Sequence, residues 1–404
     1  MENTSASELA HEVLQRCLAS ESWQSREFDS LIEQATSPET AREASRAFFG
    51  ILVEGLADRF QPRLCDAYAE LFCDAVGRVL PEVWPGELLT RYRRIREVRP
   101  FFGDANAIEH VFVLSRVTLG ADVVVTSTVM AGLKQRFPRA VLNFVGPKKN
   151  FELFAADERV QHVPLEYRRG GTLADRLQVW PELQGLVNAP QSIVVDPDSR
   201  YTQLGLLPVC ANEERYFFFE SRAFGGESDE TLASLTQRWV EWTFGVSGVA
   251  PYVAVDEPVG GPAPDVCISL GVGENESKRV PDPFEAELVQ LLADNGRRLC
   301  IDSGAGEQER IRVGRAIAGL PAVPWVGSFA SFAAQIERAG FYVGYDSAGQ
   351  HVAAACGVPL VSVFAGEVSE RMFARWRPSG RGPATVVRVS ETPDPLAAVR
   401  AALP

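Results

Sequence analysis

Lysine, histidine and paired cysteine are all scarce in this 404-residue chain, and each scarcity removes a class of function. Four histidines, His11, His110, His162 and His351, are too few and too scattered for a histidine-rich metal centre. Seven cysteines form no Cys-x-x-Cys pair and are odd in number, which suits free thiols in a reducing compartment better than a disulfide frame or a zinc cluster. No run approaches the roughly 20 apolar residues of a membrane-spanning helix. The opening MENTSASELAHEVLQRCLAS has no basic segment before an apolar core, so secretion by a signal peptide is not expected and the predicted location is cytoplasmic. A formal net charge of −13 is the reverse of a nucleic-acid binder's basic stripe. Only Lys134, Lys148, Lys149 and Lys278 are lysines among 40 basic residues, which makes Lys278, in a glycine-containing loop, conspicuous.

What is present is concentrated between Gly340 and Gly366, GFYVGYDSAGQHVAAACGVPLVSVFAG. Phe341 to Tyr345 reads as a buried strand, Asp346-Ser347-Ala348-Gly349 as a turn and helix cap, and the small-residue helix that follows carries His351 in its first turn. Alanines 353 to 355 and Cys356 are explained by a helix lying close to a sheet. Asp, Ser and His gathered at a strand end are not, and a helix N-terminus outside the carboxyl end of a strand is where an anion binds.

The periodicity changes near residue 105. Before it, apolar positions recur at helical spacing in Ser7–Leu18, Ala41–Phe60, Pro62–Leu80 and Glu87–Val98, predicting a helical N-terminal domain over 1–105. The basic run Arg91 to Arg99 within it is either a solvated helix face or a docking patch for an anionic lipid at the inner face of a membrane. From His110 onward strands alternate with helices, the pattern of a parallel, doubly wound α/β sheet: one unit over 106–257, a Pro/Gly-rich linker Pro258 to Pro264, and a second over 265–390. Residues 391–404 form a last helix expected to pack back across the linker. The loop Gly271-Val272-Gly273 lacks the third glycine of a dinucleotide fingerprint, which argues against a NAD-dependent oxidoreductase.

The segment Asp346, Ser347, Ala348, Gly349, Gln350, His351, with Gly357-Val358-Pro359 and Phe364-Ala365-Gly366 behind it, resembles the donor-site signature of glycosyltransferase family 9, the ADP-heptose:lipopolysaccharide heptosyltransferases. Two further motifs follow in the family's order. Ala121-Asp122-Val123 resembles its Gly-Asp-Val turn, and Gly271 to Arg279 its glycine loop ending in Lys-Arg-Trp. The chain departs from the pattern at Ala121, Val125, Val280 and Ala348. The resemblance implies a bacterial GT-B fold, two facing Rossmann-like domains with parallel sheets, the first for acceptor and the second for donor. It also implies an inverting, metal-independent transfer in lipopolysaccharide biosynthesis, with ADP-heptose as substrate, no separate cofactor and Asp122 as general base.

In such a reaction a carboxylate takes the proton of the attacking hydroxyl, and cations or N–H groups hold the departing diphosphate. The candidate donor-binding residues are Gly271, Gly273, Lys278, Asp346, Ser347, Ala348, Gly349 and His351. Arg116, Asp198 and Arg200, at strand ends of the first unit, are the candidates for a glycan, lipid-linked or protein acceptor. A non-catalytic nucleotide-sugar-binding or scaffold protein that keeps the fold is the alternative. Neither the oligomeric state nor the identities of sugar and base are legible.

Overall fold

A computed structural model describes residues 4–256, 260–273, 275–320 and 322–404. Pro258 and Val259 of the expected linker, and Glu274 of the glycine loop, lie outside the described residues.

The N-terminal region is helical: α1 (Ala6–Leu18), α2 (Arg26–Thr36), α3 (Ala41–Ala47), α4 (Glu54–Ala57), α5 (Pro62–Val79) and α6 (Pro85–Ile95), with a π-helical turn, Phe48–Val53, joining α3 to α4. Local chemistry sets the starts. A capping box of Ser5 and Glu8 opens α1, and prolines occupy the first turn of α5 and α6, where no N–H is needed.

The first sheet contains β1 (His110–Leu114), β2 (Val141–Gly146), β3 (Val160–Pro164), β4 (Ser192–Asp196) and β5 (Tyr216–Phe218), all parallel in the order β3-β2-β1-β4-β5. Its connections are α7 (Leu119–Ala121), α8 (Ser127–Arg136), α9 (Lys148–Phe151), α10 (Leu173–Leu177) and α11 (Val179–Val187), and α12 (Leu232–Phe244) follows β5. The second sheet contains β6 (Val266–Ser269), β7 (Leu299–Asp302), β8 (Ala322–Trp325), β9 (Phe341–Tyr345), β10 (Leu360–Phe364) and β11 (Ala384–Arg388), again parallel, in the order β11-β10-β9-β6-β7-β8. With it go α13 (Phe284–Ala293), α14 (Glu307–Ala316), α15 (Phe329–Arg338), α16 (Ala348–Cys356), α17 (Glu370–Trp376) and α18 (Pro395–Ala402). Each sheet reverses its winding beside its first strand, at β1/β4 and β6/β9, and ligands of open sheets bind outside the carboxyl ends at that reversal.

Alternation along the strands assigns the layers. Phe112 and Leu114 of β1 join the apolar cluster of helices α1 to α6, so the helical region covers one face of the first sheet and shares its core. Val111 and Val113 face the other way, into a cluster that continues through α8, α12, α15 and α16 to Cys267, Cys300 and Tyr342 of the second sheet. The outer face of that sheet is covered by Leu288, Val313 and Val399. Val399 belongs to α18, so the last helix packs on the second sheet and not across the linker; its apolar face is complementary to that core.

The arginines of the 91–99 run are turned inward or paired. Arg91 donates to the Gly205 carbonyl at 2.8 Å, Arg93 pairs with Glu70, Arg94 with Glu213, Arg96 with Glu220 and Asp66, and Arg99 donates to the Tyr216 carbonyl. These contacts fasten α6 to α5 and to the edge of the first sheet, while the side chains of Arg93 and Arg94 stay more than half exposed.

Candidate functional site

At the carboxyl end of β9 the chain turns through Asp346 and Ser347 into α16, with Ser347 as the extended cap residue. Lys278 ends a short 3-10 turn, Glu276–Lys278, and its ammonium donates to Asp346 Oδ2 at 2.6 Å. The turn is pinned from behind by Gly366, where a Cβ would fall 2.2 Å from the Ser277 carbonyl oxygen. Gly273 has φ +67, a left-handed turn that only glycine takes without strain, while Gly271 has ordinary space around it. Gly349 is required for another reason. The Tyr342 hydroxyl occupies the place its side chain would take, 2.2 Å from the Cβ position. Ala348, the departure from the family's glycine, is simply the first residue of α16.

A hydrogen-bond chain fixes the protonation pattern. Asp346 Oδ1 accepts from Gln350 Nε2 at 2.6 Å, and Gln350 Oε1 accepts from Ser362 Oγ at 2.5 Å, so the amide can be turned only one way. Gln350 Nε2 also lies 3.3 Å from His351 Nε2, which must therefore accept. Burial pushes His351 down to about 4; Asp346 opposes this and Lys278 reinforces it. The imidazole is neutral at physiological pH, and its proton sits on Nδ1. That Nδ1 is buried with no hydrogen-bond partner, and so is Ser347 Oγ. Buried polar groups without partners, the ammonium paired to Asp346 and the first turn of α16 are gathered at the end of β9, which is the chemistry of an anion site.

The first sheet reaches this volume through the turn after β1. A Cβ on Gly120 would sit 3.2 Å from His351 Cδ2 and 3.4 Å from Ala348 Cα, so α7 rests directly on the start of α16. The close approach is made at Gly120, one residue before the alanine that replaces the family's glycine.

Asp122 does not face this volume. Its side chain is fully buried and both oxygens are occupied: Oδ1 accepts from the Arg116 amide at 2.7 Å and Thr126 Oγ1 at 2.6 Å, Oδ2 from Ser115 Oγ and Asn150 Nδ2, each at 2.6 Å. A π-helical turn, Asp122–Thr126, brings Thr126 into reach. Burial raises the Asp122 carboxyl above its usual range, against the pull of these donors. Asp122, expected as the general base, is held as a buried strut tying β1 to the helix after it.

The acceptor candidates do come together, with partners that the sequence did not announce. Arg116, 4% exposed, donates to Ser221 Oγ at 2.5 Å; Ser221 in turn donates to Asp198 Oδ2 at 2.8 Å, and Arg222 donates to the same oxygen at 2.6 Å. Asp198 adopts φ +70, a strained position for a non-glycine residue. Burial and the neighbouring Arg222 push Arg116 down to about 10. Arg222 also reaches Asp58 of the helical region at 3.5 Å. Arg200 Nη1 and Arg222 Nε are buried without partners. Two guanidinium groups, those of Arg116 and Arg222, thus share one carboxylate at the ends of β1, β4 and β5, and Arg200 follows Asp198 by two residues. Asp196, in contrast, is structural, bonded to Thr202, Tyr216 and the Ser199 amide. Among the described residues no group of three or more His, Cys, Asp or Glu is placed to hold a metal ion. Ser221 and Arg222 lay beyond sequence reasoning because β5 has three residues and no turn signal of its own, and Asp58 because it comes from the end of α4 in the helical region.

Residues 250–389 match the model of glycosyltransferase family 9 (heptosyltransferase). The fold is similar to that of the E. coli heptosyltransferase WaaC with ADP, at 18% identity over 69% of this chain and 93% of that one, with a TM-score of 0.52. The same enzyme with ADP-2-deoxy-2-fluoro heptose gives 17% identity, 69% and 93% coverage and a TM-score of 0.51. A glycosyl transferase family 9 protein of Veillonella parvula gives 14%, 70%, 86% and 0.51. No curated protein matches the chain.

Proposed function

We propose that this protein, whose residues 250–389 match the glycosyltransferase family 9 (heptosyltransferase) model, is an inverting glycosyltransferase. It moves a heptose-like sugar from a nucleoside diphosphate sugar, ADP-heptose by analogy with the structural neighbours, to a hydroxyl on a glycan, lipopolysaccharide core or protein, in the cytoplasm. The observation that carries the reading is the convergence of the Lys278 ammonium, Ser347 Oγ and the unpartnered His351 Nδ1–H on the N-terminus of α16.

The acceptor oxygen attacks the anomeric carbon as the bond from that carbon to the diphosphate oxygen breaks, and the charge appearing on the diphosphate is met by fixed donors. Lys278 supplies the positive charge that a metal ion supplies elsewhere, so transfer proceeds without a divalent cation. The acceptor's own anionic groups fit the Arg116, Arg200 and Arg222 cluster, which has unused N–H groups. For Asp122 to take the acceptor proton, one bond from Ser115 or Asn150 must be exchanged for the acceptor hydroxyl.

A second reading, a nucleotide-sugar-binding protein without turnover, is favoured by one observation, the complete burial of Asp122. Calorimetric titration with ADP, UDP, GDP and CDP, followed by transfer and hydrolysis assays with the matching nucleotide sugars in EDTA, separates the two. Binding with turnover that survives chelation supports the transferase. Binding without turnover supports the scaffold, and absence of binding removes both.

A further inference from the structure

Helix α17 follows β10 in the second sheet's unit, yet its arginines end on the first. Arg375, 1% exposed, donates to the Glu230 carbonyl at 2.7 Å and the Gly226 carbonyl at 3.3 Å. Arg371 donates to the Gly226 carbonyl and pairs with Glu227, and Arg377, just after the helix, donates to the Asp229 carbonyl at 3.1 Å. The segment 226–230 begins four residues after Arg222 of the arginine cluster. Among the described residues Arg375 has no carboxylate within ion-pair distance, so a buried charge is held by main-chain carbonyls and, at 3.4 Å, the Ser228 hydroxyl. That arrangement is costly unless those carbonyls and the Ser228 hydroxyl stay where they are.

The same helix touches the two other parts of the molecule. The Trp376 ring lies 5.7 Å from that of His351 and 6.1 Å from that of Phe60, and Gln350 Nε2 approaches the Trp376 carbonyl at 3.5 Å. Phe60, 1% exposed, holds φ +56, a conformation unfavourable for a bulky residue and maintained here by packing.

We propose that α17 is a latch: Arg371 and Arg375 position the 226–230 segment beside the arginine cluster, and Trp376 links that position to His351. Nucleotide binding at α16 and order in the 226–230 segment are therefore coupled. The coupling rests on the donor-site reading above; the latch itself does not. Coupling is reciprocal, so a ligand that orders the segment binds more weakly by the same factor when the segment is released.

The test is hydrogen exchange on the full chain, with and without saturating ADP. The reporters are the amides of Gly226 and Ser228, which donate to Ala223 and Gly225 carbonyls at 3.1 Å. Wild-type protein should show these amides slowed by ADP. Arg375→Ala should exchange them about 10-fold faster, lose the protection and bind ADP weaker by a similar factor. Arg371→Ala, whose side chain is on the rim, should act in the same direction and carries the test if Arg375→Ala does not fold. Wild-type exchange in the variants overturns the latch. Faster exchange with unchanged ADP affinity and protection overturns the coupling. If wild-type protein binds none of the four nucleoside diphosphates, the donor reading and the coupling fail together, and the exchange rates alone decide the latch.

Discussion

Lys278 is the residue on which the donor site can be tested most directly. Its ammonium is 2.6 Å from Asp346, so a bound diphosphate shares a cation that already has one carboxylate. Lys278→Ala deletes a charge-assisted contact of about 1.5 to 3 kcal/mol and leaves Asp346 unopposed beside the phosphate. ADP should bind roughly 10- to 150-fold more weakly by titration calorimetry, and wild-type affinity would remove Lys278 from the site. His351 makes a different prediction. A histidine depressed to about 4 stays neutral in the folded state down to acid pH, so its N–H contribution to ADP affinity should be flat from pH 6 to 8. An affinity that climbs toward pH 6 in wild type and not in His351→Ala would mean an imidazolium. The sign for stability follows. The unfolded imidazole takes up a proton near pH 6.5 and the folded one only near 4, so the stability His351 confers is present above 6.5 and is lost as pH falls through that window.

Asp122 decides between catalysis and scaffold. An amide at this position aims its NH₂ at the Arg116 N–H in one orientation and at the Asn150 amide N–H in the other, so Asp122→Asn should destabilise the fold by about 1 to 3 kcal/mol, read as a lower denaturation midpoint. If Asp122 is also the base, turnover should fall by about 10²- to 10⁴-fold at temperatures where the variant is fully folded. An unchanged rate there would confine Asp122 to its structural role.

At the scale of elements, α16 shows what the sequence does and does not convey. Its boundaries, its small residues and the polar cluster at its start are legible because strand, turn and cap residues fall in one uninterrupted run. The reason for Gly349 is not legible, since it depends on Tyr342 seven residues earlier. Gly349→Ala should lower stability by about 1 to 3 kcal/mol through that overlap, and Tyr342→Phe in the same chain should recover part of the loss. A thermal melt of Gly349→Ala equal to wild type would refute the close contact. Elements that went unread share a physical cause, brevity at a sheet edge. β8 carries Pro324 and lies at the edge, where a missing N–H is tolerated, and β11 is exposed over its first residues. The break between α10 and α11 and the π-helical turns are likewise invisible to a 3.6-residue period. The strand-end carboxylates were legible as positions and not as roles, because whether Asp122 faces a cleft depends on Ser115, Thr126 and Asn150, whose reach no spacing encodes.

At the scale of the molecule, the helical region is the largest departure from a plain pair of α/β units, and its packing determines whether it can be separated. Periodicity marks a change near residue 105, but the apolar core crosses that point. Phe112, Leu114, Val145, Val194, Tyr216 and Phe218 on one face of the first sheet are buried with the side chains of α1 to α6. Polar ties reinforce the contact: the Tyr68 hydroxyl donates to the Gln203 carbonyl at 3.0 Å and the Leu173 amide to Ser45 Oγ at 2.8 Å. At about 1.5 to 3 kcal/mol for each large side chain, uncovering those six costs on the order of 10 kcal/mol, as much as the whole stability of a typical domain. A fragment comprising residues 106–404 should therefore aggregate, or melt well below the full chain, because it presents a wide apolar sheet face to water. It would also lose Asp58 from Arg222, leaving the arginine cluster without one of its carboxylates. Size-exclusion chromatography and a circular-dichroism melt of the fragment give the answer. A monomer unfolding cooperatively within a few degrees of the full chain would show that the helices are an appended module and not one layer of the sheet that carries the acceptor candidates.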